Sequence, residues 1–423
     1  MHTTITVTIA LVTALGVLFR PFRLPEYAFA ALGAAVLVAS GLFGWRAALS
    51  AVNDGQDVYA FLIGMMLLAE VARREGLFTT LAAWAARAAR GSAERLFLIV
   101  YGIGVLVTVF LSNDATAVVL TPAVYATARA AKVEPLPYLF ACAMIANAAS
   151  FVLPISNPAN LVIYARAMPP LGAWLAMFLL PSVAAILATY AMLRLTFGRD
   201  LASAQPQIVE IPALEPAARA AALGLIATAL GLIAASALGA PLGLPTLGAG
   251  LAVVALVTAL TRRSPAALLH QVSWGVLPLV GGLFVVVRAV FATGLPDHAV
   301  AMLHLWAETA PNMAASGIGT LFALASNLIN NLPVGLVAAT ASHTGNLPPH
   351  IVGAMLIGVA LGPNLSVTGS LATILWLVSL RKENLHVSAG QFLRVGLWVM
   401  PPTLALTLAA FALQSGLAGV FAP

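Results

Sequence analysis

Apolar stretches of about 17 or more residues recur from one end of the chain to the other, separated by short polar segments. That is the length at which a helix rising ~1.5 Å per residue crosses a ~30 Å hydrocarbon layer. The pattern predicts spans near 5–19, 27–43, 58–72, 136–164, 172–195, 219–239, 246–261, 275–293, 351–378 and 396–418. Two further apolar stretches, 96–130 and 312–341, carry a polar interruption near the middle and predict re-entrant hairpins. The expected fold is an all-α polytopic membrane protein with about ten transmembrane helices plus two re-entrant hairpins. The first span lacks the basic start and small-residue cleavage site of a removable signal, so it is expected to remain as an uncleaved helix.

The longest polar break is GRDLASAQPQIVEIPALEPAAR, from Gly198 to Arg219. It divides the chain into a first half, 1–197, a linker, 198–218, and a second half, 219–423. The halves resemble each other. FLIGMMLLAEVARREGL (61–77) aligns with LVGGLFVVVRAVFATGL (279–295), matching Gly64 with Gly282 and Gly76 with Gly294. A shift of one residue then sets Asn113 on Asn330 and Asp114 on Asn331, and PISNPANLVIYA (154–165) faces GPNLSVTGSLAT (362–373) as a second polar break in a helix.

Charge gives the repeats a direction. Arg73, Arg74, Arg87, Arg90 and Arg95 follow the third span, whereas the stretch after its counterpart holds Asp297 and Glu308 and no Lys or Arg. The two loops are expected on opposite faces, making the repeats inverted. An external N-terminus places most of the 20 basic residues in the cytoplasm together with the linker, leaves both termini external, and sets Arg288 within the bilayer. Inverted repeats with interrupted helices predict a secondary transporter whose site lies near the midplane, where the breaks of both halves meet.

Composition narrows the chemistry. Only 8% of the residues are charged and 61% are hydrophobic, without the alternating segments of a β-barrel or the basic face that a nucleic-acid partner requires. The net charge of +6 reads as a topology signal. Cys142 is the only cysteine, so neither an intramolecular disulfide nor a multi-thiolate metal site can form within one chain; it is expected to be a small buried apolar residue. No cofactor is expected.

Four polar clusters remain to be explained. In FLSNDATAVVLTP (110–122), Asp114 sits among apolar helices with Ser112, Asn113 and Thr116 beside it. A carboxylate there stays protonated, pairs with a cation or alternates between the two, the last being what proton coupling requires; an N-cap role for the following helix is compatible with it. In NAASFVLPISNPANLVIY (147–164), Pro154 and Pro158 open the helix amid Asn147, Ser150, Ser156, Asn157 and Asn160. The second half repeats both devices, with Ser326, Asn327, Asn330 and Asn331 ahead of Pro333, and Asn364, Ser366, Thr368 and Ser370 around two glycines. A site drawn from all four would hold hydroxyls, amides and one titratable group, which suits a small, uncharged, hydrogen-bonding substrate.

Glu70 and Arg288 fall at equivalent places in the repeats and are expected either to form a charge pair across the core or to snorkel to opposite surfaces. His298, His304, His343 and His350 are expected in external loops without metal-ligand spacing. EGLFTTLAAWAARAARGSAER (75–95) reads as a basic amphipathic helix lying in the cytoplasmic interface.

The strings FLSNDATAVVLTP, ANAASFVLPISNPANL, SNLINNLP and GPNLSVTGSLATILWL closely resemble the matching segments of the bacterial arsenical pump membrane proteins, the ArsB-type arsenite efflux carriers of the ion transporter superfamily. Span order and length resemble that family over nearly the whole chain. The resemblance implies a carrier of the bacterial cytoplasmic membrane that exports trivalent arsenic and antimony hydroxides, driven by the proton gradient, with a cytoplasmic arsenite-stimulated ATPase as an optional partner. It places the family's loop aspartate on Asp114 and its helix-break asparagines on Asn157 and Asn364. Arsenous acid is neutral with three hydroxyls, so a ring of Asn, Ser and Thr can hold it, while one cysteine cannot form a three-thiolate trap. A sodium/proton antiporter, in which Asp114 ligates Na⁺, and a sodium-coupled organic-anion carrier, in which Arg288 meets a carboxylate, remain alternatives at this level.

Overall fold

The computed structural model describes residues 2–165, 168–203, 205–207 and 209–420, which are helical almost throughout. The first half runs α1 (His2–Phe19), α2 (Glu26–Ala39), α3 (Trp45–Asn53), α4 (Gln56–Arg74), α5 (Leu77–Ala88), α6 (Ala93–Phe110), α7 (Asn113–Ala115), α8 (Thr121–Ala130), α9 (Leu136–Ala148), α10 (Pro158–Ile163) and α11 (Leu171–Ser203). The second half follows with α12 (Pro216–Ala237), α13 (Gly243–Thr261), α14 (Ala266–Leu269), α15 (Val276–Phe291), α16 (Asp297–Thr309), α17 (Pro311–Ile329), α18 (Asn331–Gly345), α19 (Pro349–Leu361), α20 (Leu371–Lys382) and α21 (Ala389–Val420). In chain order, α1–α6 can be set against α12–α17 and α8–α11 against α18–α21.

Six described helices, α1, α6, α11, α12, α13 and α21, are individually long and apolar enough to cross a membrane, and α3 with α4, bent by 47°, is long and apolar enough only when the two are taken together. The remaining expected crossings use shorter apolar helices. α2 has 14 residues, about 21 Å at 1.5 Å per residue, and α9 and α19 stop after 13 because the polar breaks begin there. α11 continues through Gly198 to Ser203, so the helix-free connection between the halves is shorter than the polar pattern indicates. Charged residues beyond the bilayer leave an i→i−4 ladder intact.

Packing sorts these helices into two kinds. α1, α2, α12 and α13 display leucines such as Leu11, Leu32, Leu223 and Leu256 to the surroundings, as lipid-facing helices do. α9 and α19 are apolar on all sides and buried almost completely, as expected of helices at the centre of a large bundle. A ring of aromatic side chains seals one end of that centre: Phe140 lies 5.5 Å from Trp376, 5.6 Å from Phe197 and 5.8 Å from Phe392.

The halves interlock by exchanging helices. α4 packs along α13, and reciprocally α15 packs along α2. Each crossing is close because a glycine lies at it. A Cβ added to Gly64 would fall 2.3 Å from the Thr246 carbonyl oxygen, and one on Gly282 would fall 2.6 Å from the same group of Ala30. At the first crossing Asp57 adds a polar tie, its Oδ1 accepting from the Gly243 N–H at 2.8 Å.

α5, the expected amphipathic helix, buries Phe78, Ala82 and Ala86 while exposing Leu81 and Trp84. The histidines depart from the loop assignment. His298 and His304 lie on α16, where His304 faces Glu308 one turn on at 3.2 Å, His343 lies on α18 and His350 in the first turn of α19. Pro311 and Asn330, not the histidines, set where these helices begin and end, which composition alone does not reveal.

Candidate functional site

The two hairpin tips form where backbone hydrogen bonding fails. After α6 the chain is extended at Ser112, whose Oγ accepts from the Ala115 N–H at 3.2 Å and caps the return helix. Residues Thr116–Leu120 form a π-helical turn. Pro122 lacks the N–H that Val118 would use, and Thr121 instead donates its hydroxyl to the Thr116 carbonyl at 3.1 Å. In the second hairpin Asn330 takes the corresponding cap, its Oδ1 accepting from the Leu332 N–H at 3.3 Å. Its backbone, at φ 75° and ψ 151°, lies in a region that residues with a side chain rarely occupy.

Set cap on cap, Ser112 against Asn330, the alignment of the halves moves by one residue, with Asn113 on Asn331 and Asp114 on Leu332. The broken helices show the same relation: Asn157 caps α10 and Ser370 caps α20. The second half therefore sets a leucine where the first sets its carboxylate.

All four breaks converge. Asn113, Asp114, Asn157 and Asn331 line one small cavity of about 30 Å³, closed by Leu332 and Ala372 and by Leu62, Val276 and Val280 from α4 and α15. The polar wall comes from the hairpins and α10, the apolar wall from the two interlocked helices. Asn113 and Asn157 are each 3% exposed and Asn331 6%, while Asp114 is half-buried, so the pocket sets one acid among three buried amides. Asn113 Oδ1 accepts from the Asp114 N–H at 3.0 Å, and Asn157 Oδ1 from the Ala159 N–H at 2.9 Å. Asn157 Nδ2 donates to Ser150 Oγ at 3.3 Å.

The other residues expected at the site hold its walls. Thr116 meets the Thr108 hydroxyl at 2.8 Å, away from the cavity. Asn160 spends its amide on the carbonyls of Ser150, Leu153 and Pro154, fixing the 150–157 loop. Asn327 donates to the carbonyls of Ala323 and Gly362 and accepts from Ser366 at 2.7 Å. Thr368 donates to the Asn327 carbonyl at 3.0 Å, and Asn330 Nδ2 reaches the Thr368 carbonyl at 3.3 Å. Asn364, completely buried, accepts from Asn147 Nδ2 at 2.9 Å and donates to the Met144 carbonyl at 3.0 Å. It joins the broken helices of the two halves and does not line the cavity.

That bridge carries a stability prediction. Asn147→Leu strands the buried Asn364 side chain and is expected to cost about 1–3 kcal/mol, whereas Asn147→Leu with Asn364→Leu removes both polar groups and is expected to recover most of the loss. Melting of the purified single and double variants in one detergent measures the difference, and equal melting temperatures for the two would contradict the bridge.

The charge pair between Glu70 and Arg288 is not formed. Glu70 takes a bidentate contact from Arg73 on its own helix, at 2.5 and 2.7 Å, and Arg288 pairs with Asp54. Charges three residues apart on one helix face meet before a more distant partner can, and α3 brings Asp54 to α15. The two pairs flank the central cavity. Arg288, Asp54 and His343 line a wide crevice of about 650 Å³, and Glu70 lines a narrow passage of about 90 Å³ that also touches Asp114 and Ser112. Asp54 and the passage residues Gln271 and Ser273 escaped the sequence pattern, because they sit at the ends of amphipathic segments where polar residues are ordinary.

Among the described residues no group of three or more His, Cys, Asp or Glu could hold a metal ion, and Cys142 is buried.

Comparison with known proteins adds four findings. The citrate transporter (CitMHS) family model matches residues 9–362. The arsenical pump membrane protein of Escherichia coli K12 is 30% identical over 416 residues, covering 88% of this chain and 93% of that one. Another E. coli arsenical pump membrane protein is 28% identical across 96% of this chain and 97% of its own length. The crystal structure of the Alcanivorax borkumensis YdaH transporter, described as having an unusual topology, superposes with a TM-score of 0.55 over 89% of this chain and 88% of that one, at 18% identity, a likeness of fold. The chain belongs to the citrate transporter family of multi-pass membrane proteins and, within the relatives it matches, to the arsenical pump membrane proteins.

Proposed function

We propose that the protein is a secondary active transporter of the cytoplasmic membrane that exports trivalent metalloid hydroxides, arsenite and antimonite, in exchange for protons. The supporting observation is the cavity in which Asp114 meets Asn113, Asn157 and Asn331. A neutral trihydroxide can exchange hydrogen bonds with amides at either end, and one acid can carry the coupled proton. In this reading the segments 1–197 and 219–423 are inverted repeats joined by a cytoplasmic linker, both termini are external, and the basic stretch after α4 faces the cytoplasm. The unit carrying both hairpins and both broken helices alternates access along the apolar wall of α4 and α15, with a separate cytoplasmic ATPase as an optional partner.

The family's citrate description favours a second reading, a carboxylate carrier. The site argues against it. The cavity has no Lys or Arg in its lining, Arg288 is committed to Asp54 in the outer crevice, and Arg73 to Glu70. A tricarboxylate placed beside Asp114 would face repulsion without a counter-charge.

Expression in an arsenite-sensitive host is expected to lower intracellular arsenic, measured against the same cells carrying an empty vector. Unchanged arsenic with the protein present in the membrane would remove the export reading, and citrate uptake in the same cells would support the alternative.

A further inference from the structure

The site described above uses one carboxylate, yet a second lines the same space. Glu70 is buried, with only 8% of its surface exposed, and faces the narrow passage that ends at Asp114 and Ser112. A purely surface i,i+3 ion pair would leave both partners in water, where it contributes little. Here the arginine is largely in solvent, its side chain 45% exposed, and the acid is turned inward, its side chain 10% exposed. The passage runs between α4 and the Val272–Ser273 segment on one side and the first hairpin on the other. A volume of about 90 Å³ has room for about three water molecules at about 30 Å³ each. Among the residues lining the passage the titratable groups are Glu70 from α4 and Asp114 from the hairpin, and Arg73 pairs with Glu70 from the same helix. The α14–α15 segment presents the neutral Gln271 and Ser273, and α20 presents Leu375.

We propose that Glu70 is the proton-exchange group of the narrow passage, passing the proton from Asp114 to the solvent on the Arg73 side. The Asp114 O–H proton moves through intervening water to a Glu70 carboxylate oxygen, and the Asp114 carboxylate is regenerated. The proton then leaves Glu70 for solvent as the carboxylate re-forms its bidentate contact with Arg73. Glu70 touches no substrate; it sets the rate at which Asp114 resets. The assignment rests on the reading of Asp114 as the coupling acid.

The test uses the full chain in inverted vesicles, with arsenite as the probe and two readouts: net transport driven by an imposed pH gradient, and arsenite–arsenite exchange at equal pH, which needs no net proton release. Glu70→Gln is expected to lose gradient-driven transport and its dependence on pH at the Arg73 side while retaining exchange, and Glu70→Asp is expected to restore both. Should Glu70→Gln keep gradient-driven transport and its pH profile, or lose exchange to the same degree, the relay is overturned. If Glu70→Gln fails to reach the membrane, Arg73→Gln decides: it keeps the acid, so a shifted pH profile with intact exchange supports the relay, and an unchanged profile overturns it. Asp114→Asn in the same vesicles separates the two levels, because pH-coupled transport surviving there removes the coupling acid itself whatever Glu70 does.

Discussion

Asp114→Asn is expected to abolish proton-driven metalloid export while leaving a folded protein in the membrane. Asparagine matches aspartate in shape, so the hairpin turn and the bond from the residue's own N–H to Asn113 Oδ1 remain available. What disappears is the capacity to gain and lose a proton. A charged aspartate deep in a membrane protein costs on the order of 3 kcal/mol, so the neutral variant is expected to melt at the same temperature or higher. The functional loss belongs on the scale of removing a positioned proton-transfer group, about a hundredfold or more. Net arsenite transport in inverted vesicles, with H⁺ and Na⁺ gradients imposed separately, reads the effect. A variant that still responds fully to the H⁺ gradient refutes the role, and a wild type that answers only to Na⁺ points to the sodium-coupled alternative.

Gly64→Val is expected to prevent correct assembly of the halves. The added Cβ would approach the Thr246 carbonyl oxygen to 2.3 Å, and that oxygen belongs to the backbone of α13, so relief requires the helices to separate along their length. Overpacking a core commonly costs about 1–3 kcal/mol; here a rigid backbone opposes the side chain, which places the loss at the upper end or beyond it. Gly282→Val at the reciprocal crossing is expected to behave alike, whereas Gly102→Ala, with no other atom within 4 Å of its added Cβ, is expected to be silent. Yield and melting temperature in detergent distinguish these outcomes. A Gly64→Val protein as stable as wild type would mean that α4 and α13 do not cross this closely.

Much of this architecture is legible from the chain because the dominant signal, apolar runs cut by polar residues, is the one that lipid enforces. The hairpins around Asn113 and Asn330 and the breaks at Asn157 and Asn364 announce themselves, since such residues are costly there without a purpose. What each polar side chain does was less legible. Asn157 and Asn160 are three residues apart, yet one turns to the cavity and the other ties down a loop, a choice set by the proline-opened turn between Ser150 and Pro158. Asn364 looked equivalent to Asn157, and the structure gives that place to Ser370, because a cap is defined by the N–H groups it faces and not by its residue type. Asp54 carried no signal, since its meeting with Arg288 spans 234 residues of sequence.

The Asn147–Asn364 contact ties together residues 217 positions apart, and Trp376 adds a second stitch to the Leu139 carbonyl at 3.1 Å. Each broken helix is thus tied to the opposite half as well as to its own. A gene fragment encoding either half alone would specify a body with an open seam, its amides turned toward hydrocarbon that offers them nothing in return. Each half thus lends the other part of its interior.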